Sequence, residues 1–151
     1  TSENLLICIR TGGEKRRPDA LGLLGRFVQP LHGSRGGVKL KDRIDPALTE
    51  GVGELVGRLH ACGIVHGDLT TSNMILQGEK IYFIDFGLAF HDQGIEAQGV
   101  DVHVFFQTVR SCHDRPEELI SAFGRGYART YARAGEVLRR VGEIEARGRY
   151  L

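Results

Sequence analysis

The sequence predicts an α+β domain, mostly helical and wrapped around one small β-hairpin. Three observations carry that expectation. Four stretches place apolar residues at helical spacing, two short β-rich runs flank a cluster of turn residues, and Asp45-Pro46 marks a helix start.

The first helix is expected from Asp45 to Cys62. Asp45 suits the capping position, Pro46 the first helical one, and Leu48, Val52, Leu55, Val56, Leu59 and Cys62 form one apolar stripe that Gly63 ends. Ile64-Val65 then delivers the chain to His66. Met74-Ile75-Leu76 and Ile81-Tyr82-Phe83-Ile84 read as two antiparallel strands, with turn chemistry in Gln77-Gly78-Glu79-Lys80 between them. A second helix is expected over Val100 to Arg110, with Val102, Phe105, Phe106 and Val109 on one face. Leu119, Ile120, Phe123, Tyr127 and Tyr131 make a third stripe after Pro116, and Val137, Leu138, Val141 and Ile144 a fourth.

Residues 1–36 read differently. Their apolar pieces, Leu5 to Ile9 and Leu21 to Val28, are isolated, and neither a strand period nor a helix period runs through them. Gly33-Ser34-Arg35-Gly36-Gly37 lacks the preceding strand and following Lys-Ser/Thr of a phosphate loop and reads as a linker. The expected organisation is an irregular or unrelated segment over 1–36 and one lobe over 37–151.

Two motifs flank the hairpin. His66-Gly67-Asp68-Leu69-Thr70-Thr71-Ser72-Asn73 supplies an Asp and an Asn five residues apart, suited to a tight loop that aims a base at an acceptor hydroxyl and an amide oxygen at Mg²⁺. Ile84-Asp85-Phe86-Gly87 supplies a carboxylate able to bridge Mg²⁺ to phosphates. Either string alone is a weak signal, since ordinary loop carboxylates are common. In this order, with a hairpin that brings Asn73 and Asp85 together, they point to phosphoryl transfer from ATP in a protein-kinase-like C-terminal lobe.

Composition narrows the alternatives. With 151 residues, a net charge of +1 and a pI near 7.8, no global field advertises nucleic acid or anionic membrane as a partner. Cys8, Cys62 and Cys112 are scattered without CxxC spacing, which argues for reduced thiols in a cytoplasmic protein. Neither a membrane-length apolar run nor a signal-peptide pattern is read.

The residues His66 to Asn73, Ile84-Asp85-Phe86-Gly87-Leu88-Ala89, Val100-Asp101 and Arg147-Gly148-Arg149 together resemble the PRPK-type atypical small kinases of the KEOPS (EKC) complex. Thr70-Thr71-Ser72 before the Asn is the most discriminating piece, and the resemblance runs from about Val38 to Arg149, three quarters of the chain. It implies that Asp68 is the catalytic base and that Asn73 and Asp85 hold the metal and nucleotide. It further implies that Asp101 steadies the catalytic loop through backbone amides, and that His66, packed beneath Phe86 of Phe86-Gly87, is structural. The implied function is that of a Mg²⁺-ATP-dependent serine/threonine kinase or ATPase, partner of a Kae/TsaD-like protein that installs threonylcarbamoyl on tRNA adenosine. A non-catalytic adaptor and an aminoglycoside-type small-molecule kinase are the competing readings.

Gly67 stands where many regulated kinases carry an arginine, and Asp101 follows Asp85 by only sixteen positions without Ala-Pro-Glu, leaving little room for a peptide-docking platform. The N-terminal lobe is expected to be incomplete: no glycine-rich loop or Val-Ala-Ile-Lys-like strand is found, which implies truncation or a reading-frame shift upstream of Gly37. Near the other end, Arg139 and Arg140 read either as a solvated face paired with Glu136, Glu143 and Glu145 or as a basic patch. Arg147 and Arg149 are expected to form an arm that contacts tRNA or the partner.

Overall fold

A computed structural model describes residues 37–78 and 80–148, together with the backbone of Leu5–Ile7. The elements, in chain order, are β1 (Leu5–Ile7), β2 (Val38–Lys39), α1 (Pro46–Ala61), β3 (Ile64–Val65), β4 (Met74–Gln77), β5 (Lys80–Phe83), β6 (Phe90–His91), α2 (Ile95–Cys112), α3 (Pro116–Thr130) and α4 (Ala134–Gly148). Short 3₁₀ turns occupy Leu40–Asp42 and Thr71–Asn73. The α+β class expected from the sequence is the one observed.

The hairpin forms because two half-buried β runs flank a residue free to take a left-handed turn. Gln77 pairs with Lys80 and Met74 with Phe83, while Gly78 has φ +63°. The hairpin is the centre of a four-stranded sheet in the order β1-β5-β4-β2. β2 adds antiparallel to β4, and β1 adds parallel to β5 with Leu6 opposite Tyr82. In the sequence Leu5 to Ile9 is only an isolated apolar piece; a three-residue parallel edge strand depends on a partner far along the chain and leaves no local period. The division at residue 36, the linker Gly33-Ser34-Arg35-Gly36-Gly37 apart from Gly37, and the apolar run Leu21 to Val28 lie outside the described residues. β3 pairs with β6 in a second, two-stranded sheet.

Asp45 caps α1 as the sequence predicts: its carboxylate accepts from the Leu48 amide at 2.8 Å, an interaction worth about 1 kcal/mol. Gly63, at φ +75°, turns the chain out of the helix. α2 starts five residues before the expected Val100, at Ile95. Its first turns bury Gln98 and Gly99 rather than an apolar stripe, so hydrophobic spacing missed them.

Helices α1 and α3 pack at backbone contact. A Cβ on Gly53 would overlap the Phe123 carbonyl, one on Gly57 the Thr130 hydroxyl, and one on Gly126 the Glu50 carbonyl. The interface is fastened by Thr130 Oγ1 donating to the Glu54 carbonyl at 2.8 Å and by Arg129 bridging Glu50 and Glu54 on the surface. Inside, Phe123 stacks on Phe105 and Tyr127, with ring centroids 5.0 and 5.5 Å apart. Leu40, Val52, Val56, Leu69, Met74, Phe83, Val102 and Val137 continue one core from the hairpin to α4.

Glycines in helices usually cost stability, but these do not obey that rule. Gly126→Ala should destabilise by about 1–3 kcal/mol because the added methyl forces α1 and α3 apart. Gly142→Ala, at a helical position with nothing within 4 Å, should stabilise by about 0.5–1 kcal/mol. Urea unfolding midpoints of the two variants will show opposite shifts.

Candidate active site

The loop from His66 to Asn73 leaves β3 and is held at its start by α2. The Asp101 side chain, almost wholly buried, accepts the His66 amide on Oδ2 and the Gly67 amide on Oδ1, each at 3.0 Å. Gly67 has φ +89°, and a Cβ there would lie 2.5 Å from the Leu88 carbonyl oxygen. The loop therefore crosses the segment after Phe86 at main-chain contact, and glycine is required twice over.

His66 joins the two motif loops. Its Nδ1 accepts from the Asp68 amide at 3.1 Å and its Nε2–H donates to the Ile84 carbonyl at 2.9 Å, which fixes the neutral tautomer. The ring packs on Phe86 with centroids 4.6 Å apart. Asn73 closes the loop by donating from Nδ2 to both the carbonyl and the carboxylate of Asp68, each at 2.9 Å. Since a carbonyl can only accept, the amide orientation is settled, and Oδ1 is left for another partner.

The hairpin sets the second loop beside the first. The Ile84 amide donates to the Asn73 carbonyl at 2.8 Å, placing Asp85 one residue beyond that bond. Asp85 is exposed and adopts φ +60°, a conformation that non-glycine residues take at some cost and that Asp tolerates better than most. Gly87 lies next to it: a Cβ at Gly87 would sit 3.5 Å from Asp85 Oδ1. Asp68 and Asn73 are thus bonded to each other, and Asp85 directly follows the residue whose amide bonds Asn73, while Asp101 and His66 hold the loop and Phe86 packs on His66. Arg147 stands apart, exposed on the last turn of α4 with Glu96 3.4 Å away, and Arg149 lies outside the described residues. The helix runs on through Arg147, where an arm had been expected. Arg140 is paired with Glu143, as one reading of that face proposed, and also with Glu96 of α2.

Sequence reading missed the polar support under Asp101. His60, placed in α1 among apolar neighbours, donates Nε2–H to Asp101 Oδ2 at 2.8 Å and accepts on Nδ1 from the Tyr127 hydroxyl at 2.6 Å. Burial pushes the Tyr127 phenol well above its ordinary range, reinforced by Tyr131 and Asp101, so the hydroxyl remains a donor. Tyr131 in turn donates to Gln98 Oε1 at 2.6 Å, and Gln98 Nε2 donates to the His60 carbonyl at 3.3 Å. The two tyrosines counted as members of an apolar stripe, and they are buried as such, but their hydroxyls complete a network. A histidine inside a helical apolar face was the available signal. Thr71, 1 % exposed, meets His113 Nε2 at 3.1 Å from its Oγ1, and burial holds the His113 imidazole below its ordinary value against the opposing pull of Asp114.

Tyr127→Phe keeps the stacked ring and removes only the donor, leaving His60 Nδ1 buried and unpaired. Stability should fall by about 1–3 kcal/mol with an unchanged denaturant slope, measured by equilibrium urea unfolding.

The fold is shared with a solved structure of WaaP in complex with acyl carrier protein, at a TM-score of 0.51 and 22% identity, covering 72% of this chain and 46% of that one. It is that of a protein-kinase-like C-terminal lobe. Residues 31–105 match the family model of the RIO domain. A Methanosarcina barkeri protein named "Probable bifunctional tRNA threonylcarbamoyladenosine biosynthesis protein" is 59% identical over 114 residues, which make up 76% of this chain and 21% of that protein. The "Probable serine/threonine-protein kinase BUD32 homolog" of Archaeoglobus fulgidus is 44% identical over 76% of this chain and 58% of its own length. The "KEOPS complex subunit Bud32" of Pyrococcus abyssi is 50% identical over 66% of this chain and 46% of its own. The chain thus spans about a fifth of the bifunctional relative and about half of the Bud32 proteins. Over residues 31–105 the chain is thus similar to the RIO domain, and its identity to these relatives runs across the same motif region.

Proposed function

We propose that this chain is the Mg²⁺-ATP-handling lobe of an atypical serine/threonine kinase or ATPase that supports threonylcarbamoyladenosine modification of tRNA within a KEOPS-type assembly. One observation carries the reading: Asp68 and Asn73 are bonded to each other and set beside Asp85 by the Asn73–Ile84 backbone bond. The names borne by its relatives supply the tRNA and KEOPS context. In this reading residues 37–151 are the working lobe, to whose sheet Leu5–Ile7 adds an edge strand. The setting is cytoplasmic, and no described helix is long and apolar enough to cross a membrane.

Asp68 is the base that orients a hydroxyl or water for in-line attack on the γ-phosphorus. Its amide is tied to His66 and its carboxylate is steered by Asn73, so the group is placed before substrate arrives. Asn73 Oδ1 and the Asp85 carboxylate are hard oxygen donors and would hold Mg²⁺. Among the described residues, no group of three or more His, Cys, Asp or Glu is placed to hold a metal. That fits an ion that keeps waters and phosphate oxygens in its shell and takes only one or two protein ligands. When bound, Mg²⁺ neutralises charge on the phosphates. His66, Phe86, Gly87 and Asp101 maintain the geometry without touching the reacting atoms.

Calorimetry with Mg²⁺-ATP tests the reading. Binding should be lost in Asp85→Asn. Asp68→Asn should retain binding while phosphoryl transfer falls by roughly a hundredfold or more. Absence of nucleotide binding by the native chain would favour an adaptor that docks on a Kae/TsaD-like partner.

Arg147 and Arg149 are proposed contacts for tRNA or that partner. Removing residues 146–151 takes away no buried side chain among the described ones. The truncated protein should keep its unfolding midpoint yet bind tRNA more weakly, its logarithmic salt slope falling by about 0.7–0.9 for each phosphate that the missing arginines no longer neutralise. A salt series of binding titrations measures that slope.

A further inference from the structure

The loop that carries Asp68 has two ends, and the structure ties both to one helix. At the first end Asp101 takes the His66 and Gly67 amides. At the other, the Thr71 hydroxyl meets Nε2 of His113, the residue that caps the C-terminus of α2. His113 lies twelve positions after Asp101, so the helix sets the Cα atoms of its two anchoring residues about 18 Å apart at about 1.5 Å per residue. α2 is a firm ruler, because Val102, Phe105, Phe106 and Val109 fix it in the core.

Asp68 and Asn73 both depend on the second anchor. Thr71 is buried whereas Thr70 and Ser72 are half-exposed, and it opens the 3₁₀ turn that ends at Asn73. Within that turn the Asn73 amide donates to the Thr70 carbonyl at 3.0 Å, and the Asn73 side chain donates to Asp68. Releasing Thr71 therefore frees the turn that aims Asn73 and, through it, Asp68. Thr70-Thr71-Ser72 is also the most distinctive part of the motif, and no chemistry in the active-site reading uses it.

We propose that His113 is a positioning residue, which through Thr71 fixes the metal-binding end of the catalytic loop while Asp101 fixes its beginning. This rests on the reading of Asp68, Asn73 and Asp85 as a phosphoryl-transfer site. Loss of a group that orients a ligand of Mg²⁺ ordinarily lowers metal affinity or activity by about 10–100-fold. The loss should appear as a raised Mg²⁺ requirement and a lowered kcat, with a smaller change in the KM for ATP.

The test uses Thr71→Val, Thr71→Ser, His113→Ala and the Thr71→Val/His113→Ala pair. Two readouts are taken: Mg²⁺-dependent turnover, and hydrogen exchange of individual amides in the full chain. Thr71→Val and His113→Ala should each raise the Mg²⁺ requirement about tenfold and speed exchange at Asn73, while the His66 and Gly67 amides stay protected by Asp101. The double variant should be no worse than either single one, and Thr71→Ser should behave as the native chain. Native exchange at Asn73 in both single variants, or strictly additive losses, would overturn the proposal. A native chain with no turnover would refute the phosphoryl-transfer reading alone, because the exchange pattern would still decide the clamp.

Discussion

A single buried carboxylate governs this molecule. Asp101 is taken out of water, and an ionised group there is tolerated only if its lone pairs are used. Three donors use them: the His60 imidazole and the His66 amide on one oxygen, and the Gly67 amide on the other. The groups that meet here come from different parts of the chain. His60 lies in α1, Asp101 in α2, and the two amides in the loop, while Tyr127 of α3 fixes the imidazole from behind. Three helices and the loop therefore meet at one point, and the loop acquires its shape from a packing arrangement that does not itself touch substrate.

A close approach of two helices accompanies that arrangement. His60 bonds Tyr127 across the α1–α3 interface, where Gly53, Gly57 and Gly126 bring the two helices to main-chain distance. The glycines that weaken each helix taken alone are what allow that approach. The cost of about 1 kcal/mol at each position in an isolated helix is offset by stacking of Phe105, Phe123 and Tyr127 and by complete pairing of the polar network.

Local features were legible in the sequence because local physics decides them. The Asp45 cap, Pro46, the Gly63 stop and the hairpin around Gly78 each depend on a few neighbouring residues, and each is where the residue types put it. So was the adjacency of Asn73 and Asp85, since a short hairpin joins its own ends. What escaped depends on distant partners. The parallel pairing of Leu5–Ile7, the polar first turns of α2 and the hydroxyl bonds of Tyr127 and Tyr131 have no period to betray them. Gln98 is buried for its hydrogen bonds and not for its hydrophobicity, and Tyr127 satisfies an apolar pattern while acting as a donor.

The crossing of Gly67 over Leu88 has a consequence for how sequences of this kind can vary. Two chain segments twenty-one positions apart are in main-chain contact there, and the Leu88 side chain itself is left facing solvent at 67 % exposure. Position 88 is thus free to change in character while its backbone is not free to move. Position 67 admits no Cβ unless that backbone retreats. A relative with any larger residue at 67 must carry a compensating insertion or rerouting after its Asp-Phe-Gly, so the two regions should drift as a linked pair even though no pair of side chains joins them.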